Sequence, residues 1–533
     1  MNALTTCPSF SVWARHGMVS SGHSLASQAG LHILQSGGSA ADAAVAMALA
    51  TAVVMPDMCG LGGEAFALYR TPREPVVAYQ GSGRLPQNFD SSLLKPSLLT
   101  LPLYGGASVS VPGAVDLYLT LHQAHGRLPL DQVAEPAISL AREGFLVDAR
   151  LAESLLESQS LISGDPQVAA RFYPQGESLG EGALLVQPEM AEAFEMIVKK
   201  GRAGFYQGPL AESMINAVKA AGGYLSADDL AAHRTEVVVP ITLQIGPLTV
   251  HQTPPPSQGV VMLEALNLLS RLPIDAHWRD DSRLVHQVVQ ALRWSFYDRR
   301  THLGDPAWVD FDARTLLTEK WRESRQSALL EHRDIPTTLS EGDTTSFVAV
   351  DRDGNAVSFI HSLALQFGSG VFVPQGGFFL NNRSGRSFNT IPGHPNQAQP
   401  GKRPMHTLNT YMVTKDDVLE LVGNTPGGDG QPQWNTTILL DLIYGERLPH
   451  QAVGLPRFTM APATDVHNLS QPYLLQMESR FSPQVIQDLE EQGHRVQVIG
   501  PYAGGGSAQV IRQRDQGLVG ASDPRGIGQT LGY

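Results

Sequence analysis

Between residues 24 and 54 apolar runs alternate with turn signals. Gly37 and Gly38 end a first helical stretch, and Ser39 with Asp42 forms the S-x-x-D start of a second, AADAAVAMALATAVV. The serine oxygen can accept from the backbone three residues on while the acidic residue returns the bond. Its alanine-rich face predicts close helix packing. MPDMCGLGGEAFALYR then predicts a glycine turn, Gly60 to Gly63, leading into an alternating strand, and VVAYQGSGRLP a second strand entering a loop. From about residue 129 to 335 the pattern is mostly helical, with LAESLLESQSLI, EMAEAFEMIVKK and LVHQVVQALRWSFYDRR as amphipathic stretches. No repeat of fixed period is visible.

Residues 331 to 343, EHRDIPTTLSEGD, have loop composition and offer a natural place for a cut. Beyond them the pattern turns to strands: TTSFVAV, NAVSFIHSL, GVFV, GGFFLNN, TLNTYMV and VLELVGN, with a helix, QWNTTILLDLIYG, after the glycine-rich TPGGDG. A helical part followed by a strand-rich part suits a layered α/β/β/α sandwich, or an α+β arrangement with separate lobes. At 533 residues the chain has room for one large unit or two.

The hairpin holds the candidate chemistry. TTSFVAV and NAVSFIHSL alternate with period two around the turn Asp351 to Asn355, so Val350 pairs with Ala356 or Val357, and Thr344 then faces Ser362 or Leu363. A threonine at a strand end, behind a loop that can be cut and beside a hydroxyl on the next strand, has what an N-terminal nucleophile needs. Its freed α-amino group, with a reference pKa of about 7.7–8.0, can take the Oγ proton, which a peptide nitrogen cannot. The same pattern also describes an ordinary β-branched strand start. The strand-TPGGDG-helix passage can point the N–H groups of Gly427 and Gly428 at an oxyanion, or can be a plain structural turn. In LNNRSGRSF, Arg383 and Arg386 follow a strand. Paired guanidinium forks can hold carboxylates, as they can also simply face water.

Other constellations are weaker. Gly22-His23-Ser24-Leu25-Ala26 lacks the second glycine of a nucleophile elbow. His122 and His125 have no third ligand nearby, so no metal site is expected. GPYAGGGSAQ, residues 500 to 509, lacks dinucleotide-binding spacing and reads as a strand connection. The formal charge of −13 argues against nucleic acid as a partner. Two cysteines, Cys7 and Cys59, support neither a disulfide framework nor a cysteine-ligated zinc. Neither a signal-like N-terminus nor an apolar run of membrane length is present, which predicts a cytoplasmic protein with no membrane partner.

SGGSAADAAVAMALA, GLGGEAF, LGDPAWV, DTTSFVAVDRDGNAVS, LNN, KRP, TPGG and GASDPRG together resemble the γ-glutamyltransferases over nearly the whole chain. The resemblance implies a four-layer α/β/β/α sandwich of the N-terminal-nucleophile type without a cofactor. It also implies autocatalytic cleavage between Asp343 and Thr344, giving a large subunit, 1–343, and a small subunit, 344–533, that stay intertwined as a heterodimer. Thr344 takes the nucleophile position, Ser362 that of the supporting hydroxyl, and Gly427 with Gly428 the oxyanion hole.

Departures from the family pattern bear on the substrate. Where the family holds the substrate ammonium with asparagine, glutamine and aspartate, this chain has Ala364, Arg383 and Arg386. A unit positive charge gains beside an aspartate and loses beside an arginine, on the order of 4 kcal/mol at about 4 Å and an effective dielectric of 20. The family's paired serines that bind the α-carboxylate appear as His406 and Thr407, and its arginine aligns with Gln80, with Arg84 four residues on. These changes imply an acyl group with a carboxylate and no ammonium, a small dicarboxylic acid monoamide. The pattern looks like that of family members acting on oxamate in purine breakdown, and more distantly like the glutaryl-cephalosporin acylases. Arg383, Arg386, His406, Thr407 and Arg84 are then the expected substrate-binding set.

Overall fold

The computed structural model describes residues 10–93, 99–326, 343–461 and 473–533, together with Leu329. The alanine-rich segment forms the helix Ala40–Val54, with every residue buried. Asp42 N–H donates to Ser39 Oγ at 3.1 Å and Ser39 N–H to Asp42 Oδ2 at 2.8 Å. A helix that is apolar all round must be enclosed. Its small side chains let it lie between the helix Ser24–Gln35 and the strands Asp343–Val350 and Ala356–Ala364.

Those two strands occupy the middle of a seven-stranded antiparallel sheet. Its order is Gln529–Gly532, Met18–Ser21, Asp343–Val350, Ala356–Ala364, Glu64–Arg70, Val77–Gly81 and Glu236–Val238. A second antiparallel sheet runs Val12–Ala14, Gly517–Ser522, Gln509–Arg514, Val418–Asn424, Tyr411–Lys415, Leu248–Gln252 and Ile241–Ile245. Helices including Ala40–Val54 and Ala114–His125 cover the first sheet, and Gly259–Leu269, Ser282–His302 and Gly430–Ile443 cover the second. Between the sheets lies a separate core with Leu68, Val348, Val350, Met412, Val422 and Ile511. The layering is therefore α/β/β/α, as expected, and not an α+β fold with separate lobes.

Period-two alternation separates the two faces of the central hairpin. Phe347, Ala349, Val357 and Phe359 join the core under the helices, while Val348, Val350 and Ala356 join the core between the sheets. By the same alternation Ser346 and Ser358 face the opposite sheet, and Ser358 Oγ donates to Gly423 O at 2.9 Å. Asp351 ties off the turn by accepting from Asn355 N–H and Asn355 Nδ2 at 3.0 and 2.8 Å.

The expected helices appear as Ala149–Ile162, Pro188–Lys200 and Ser282–His302. One correction concerns the block from 129 to 335. It contains the hairpin Ile241–Ile245 and Leu248–Gln252, which completes the second sheet. ITLQI alternates around a Gly-Pro turn, and its exposed face is polar because it lies at the sheet edge. Residues 331–342, where a loop was expected, and Cys7 lie outside the described residues. No helix among the described residues is long and apolar enough to cross a membrane.

His361 illustrates how polar groups are tolerated in this core. It is fully buried, with Tyr118 Oη 2.6 Å from Nδ1 and Thr51 Oγ1 3.0 Å from Nε2, and burial pushes its pKa down to about 3. Burial also brings His251 to about 4, helped by Arg70. Below the unfolded-state value of about 6.5 the unfolded chain binds the protons these rings refuse, so their contribution is intact above that pH and is lost as pH falls. A single ring of this kind removes about 2 kcal/mol between pH 6.5 and 5. Urea unfolding of the Thr344→Ala chain is expected to shift to lower midpoints from pH 7.5 to 5. Adding His361→Gln should make that shift smaller.

Candidate active site

The two central strands pair Val350 with Ala356 and Thr345 with His361, but Asp343 with Ala364. One extra residue on the second strand is thus accommodated opposite Thr344, at the position shared by Ser362 and Leu363. Thr344 Oγ1 donates to Ser362 Oγ at 3.1 Å, and Ser362 Oγ accepts from Ala364 N–H at 2.8 Å. Ala364 sits at φ 86°, a conformation that costs a residue with a Cβ and that the surrounding bonds must hold.

Gly62 and Gly63 let the neighbouring chain segments come this close. A Cβ on Gly63 would stand 2.6 Å from Ser362 O, and one on Gly62 2.1 Å from Phe379 O. Met58 O accepts from Leu363 N–H at 2.9 Å, and Asp57 binds Arg150 at 2.6 and 3.2 Å and Ser154 Oγ at 2.9 Å. These contacts pin the loop after the alanine-rich helix against the Thr344 strand end.

Facing them, the strand Val418–Asn424 ends in the turn that precedes the helix Gly430–Ile443. Gly427 has φ 114° and Gly428 φ 52°, so both adopt backbone conformations that disfavour side chains. Their carbonyls accept from Gly430 and Gln431 N–H, while their own N–H groups have no acceptor among the described residues. Gln258 Nε2 donates to Gly428 O at 3.0 Å, and Arg299 grips Asp429 at 2.5 and 3.0 Å. An open cavity of about 620 Å³ includes Thr344, Gly427, Met58, Arg150, Trp434 and Gly505 in its wall. The 500–509 segment, expected only to connect strands, therefore also forms wall. Cβ atoms on Gly427, Gly505 and Gly506 would meet the Trp434 ring at 2.5, 3.0 and 2.4 Å.

Arg383 and Arg386 lie in the short helix Arg383–Ser387 and are both buried. Asn381 and Asn382 set its start: Asn381 Oδ1 accepts from Arg383 N–H at 3.1 Å, and Asn382 Oδ1 from Leu365 N–H at 3.2 Å. Arg386 Nη1 donates to Ala364 O at 2.5 Å. Arg383 Nη1 donates to Thr407 Oγ1 at 3.1 Å, and Thr407 O accepts from Gln258. Both arginines are thus one residue removed from groups that shape the Thr344 and Gly428 surroundings, although neither forms the wall of the open cavity.

The positive charge expected where the family binds the substrate ammonium has a buried acid beside it. Glu64, fully buried, pairs with Arg383 Nε at 3.2 Å and lies 3.3 Å from His406 Nε2. Burial alone would raise the Glu64 pKa, but His406, Arg383 and the Gly83 N–H outweigh it and hold it below the usual range. Burial pushes Arg383 down to about 10 and lowers His406 as well. His406 also lies 2.8 Å from Ser82 Oγ and does not reach the cavity wall. Arg84 requires correction: it bonds Gly401 O at 3.0 Å and Glu236 at 3.3 Å, beside a different cavity of about 370 Å³. Gln80 donates to Pro254 O at 2.7 Å. Glu64 was the residue not singled out in the sequence, and the one available signal was an acid followed by five uncharged residues in the buried strand EAFALYR.

The gamma-glutamyltranspeptidase family model matches residues 26–533. A glutathione hydrolase-like proenzyme of Bacillus subtilis is 37% identical over 522 residues, covering 97% of this chain and 98% of its own. The oxamate amidohydrolase proenzyme of Klebsiella pneumoniae is 34% identical over 538 residues, with 97% and 98% covered. Cephalosporin acylase from Bacillus halodurans has a solved structure that superposes with a TM-score of 0.89 at 31% identity, covering 100% of this chain and 99% of that one.

The chain belongs to the γ-glutamyltranspeptidase family. It is an amidohydrolase of the N-terminal-nucleophile class. The family motifs meet in space far from where the sequence separates them: Asp305 of LGDP accepts from Arg403 of KRP at 2.8 Å, and Asp523 of SDPRG binds Arg457 at 2.5 Å.

Several relatives of this γ-glutamyltranspeptidase-family chain are proenzymes, so the bond before Thr344 is the one to test. Incubation of purified protein should give fragments of about 37 and about 20 kDa, as attack by Thr344 Oγ on its own peptide bond requires. Thr344→Ala should stay a single 57.4 kDa chain. N-terminal sequencing of the small fragment is expected to start at Thr344, and a start elsewhere would exclude it as the nucleophile.

Proposed function

We propose that the processed enzyme hydrolyses amides of small acids that carry one free carboxylate, with oxamate, giving oxalate and ammonia, as the preferred member of that class. The observation that carries this reading is the Nη2 of Arg383, buried and without a partner. A buried guanidinium nitrogen left unbonded is costly, and a ligand carboxylate would satisfy it with a charge-assisted bond.

In this reading Thr344 Oγ attacks the amide carbon and its freed α-amine takes the proton. The N–H groups of Gly427 and Gly428 hold the oxyanion. The C–N bond then breaks, the amine leaves with the proton, and water hydrolyses the acyl-threonine ester to free the acid. Ser362 keeps the Thr344 hydroxyl oriented. The open cavity of about 620 Å³ is far larger than an ammonia molecule needs, so N-substituted amides of the same acids belong in the panel of substrates.

A γ-glutamyl donor brings an ammonium as well. The nearby acid that could receive it, Glu64, already accepts from Gly83, Ser110 and Arg383 and lies beside His406. Ammonia or amine release from oxamate, N-substituted oxamates, glutaryl amides and a γ-glutamyl amide is the test. The acyl groups with a carboxylate and no ammonium should be turned over with the higher kcat/KM. Arg383→Met and Arg386→Met should each lower that value by about 10- to 150-fold, the loss of one charge-assisted bond, while self-cleavage continues. Preference of the wild type for the γ-glutamyl amide would replace this reading with that of a γ-glutamyl hydrolase or transferase.

A further inference from the structure

Glu64 begins the strand Glu64–Arg70 and stands directly opposite Ser362 in the sheet. Its Oε1 accepts from Gly83 N–H and Ser110 Oγ, both at 2.9 Å, and its Oε2 is 3.2 Å from Arg383 Nε and 3.3 Å from His406 Nε2. Four neighbours of this kind use about the full acceptor capacity of a carboxylate. The group is also tied to the backbone of the arginine it binds. Asn381 Oδ1 accepts from Ser110 N–H at 3.2 Å and from Arg383 N–H at 3.1 Å, so Glu64, Ser110, Asn381 and Arg383 close a ring of hydrogen bonds. Arg383 is fixed through Nε by Glu64 and through Nη1 by Thr407, and the nitrogen left over is Nη2.

We propose that Glu64 is the positioning residue of the acyl end of the site: it holds Arg383 by one edge, so that Nη2 is the guanidinium nitrogen left for a substrate carboxylate to satisfy. This inference rests on the reading of Arg383 as the carboxylate anchor. Glu64 touches no substrate in this arrangement and acts through the guanidinium. Because its lone pairs are engaged, it offers nothing to a substrate ammonium, which makes it a determinant of what is rejected as well as of what is held.

A double-mutant cycle on the processed enzyme tests the role, using whichever amide with an acyl carboxylate and no ammonium has the highest kcat/KM. Glu64→Gln keeps the shape and removes the charge. It is expected to lower kcat by about ten-fold or more while KM changes by less than about three-fold, since the attraction for an anion persists and its orientation is lost. In the Arg383→Met background the same change should cause no further loss, because the residue through which Glu64 acts is gone. Two fragments on a gel confirm folding of each variant, and Arg383→Lys replaces Arg383→Met if the latter does not fold. Losses that multiply across the two positions would reduce Glu64 to a support of the fold and overturn the proposal, as would full kcat in Glu64→Gln. An Arg383→Met enzyme with wild-type kcat/KM would instead remove the anchor reading itself.

Discussion

The hydrogen-bonded pairing of Asp343–Val350 with Ala356–Ala364 is the constraint on which the rest of the molecule turns. Both strands sit in the middle of their sheet, with helices on one side and the second sheet on the other. A central strand cannot slip by one residue without exchanging the faces of all its side chains, so the register that buries Phe347 and Phe359 under the helices also turns Ser358 toward the other sheet. The local irregularity at Asp343 and Thr345 then falls where the chain enters the sheet, and it brings Ser362 against Thr344. Packing, not the polar groups themselves, determines where the hydroxyls meet.

Around that pairing, charge is arranged in closed units. Asp57 with Arg150, Asp429 with Arg299, Asp305 with Arg403 and Asp523 with Arg457 each tie a loop to an element distant in sequence. Breaking a buried pair of this type by removing one partner is strongly destabilising, because the other charge is left in the core. The cluster of Glu64, Arg383, Arg386 and His406 holds a buried nitrogen on each of Arg383 and His406 without a partner. Other buried polar atoms also lack a partner, and this cluster stands out by its position, since its bonds lead through Ala364 and Thr407 toward Thr344 and Gly428.

Much of this was legible in the sequence, for identifiable reasons. The Ser39–Asp42 cap, the turn Asp351 to Asn355 and the facing of Thr344 by Ser362 or Leu363 depend on spacings of a few residues, which the chain displays directly. The glycine turn after Val418–Asn424 was legible for the same reason. Glu64 was not, because its partners come from positions 83, 110, 383 and 406 and no local pattern links them. Arg84 was misplaced since a guanidinium on a loop goes wherever acids happen to fold beside it, here Glu236 and Asp305. The edge hairpin Ile241 to Gln252 was lost in a helical stretch because two short strands carry little periodic signal.

The position of the Asp343–Val350 strand has a topological consequence. It is flanked by Met18–Ser21, from before Thr344, while its other neighbour, Ala356–Ala364, is itself flanked by Glu64–Arg70. The second sheet likewise sets Leu248–Gln252 against Tyr411–Lys415 and Val12–Ala14 against Gly517–Ser522. A backbone opened before Thr344 would therefore leave two pieces that each supply strands to both sheets, neither owning a complete sheet. Such pieces could trade partners between molecules only by unfolding, so a population of cut molecules would keep its original pairings for as long as it stays folded.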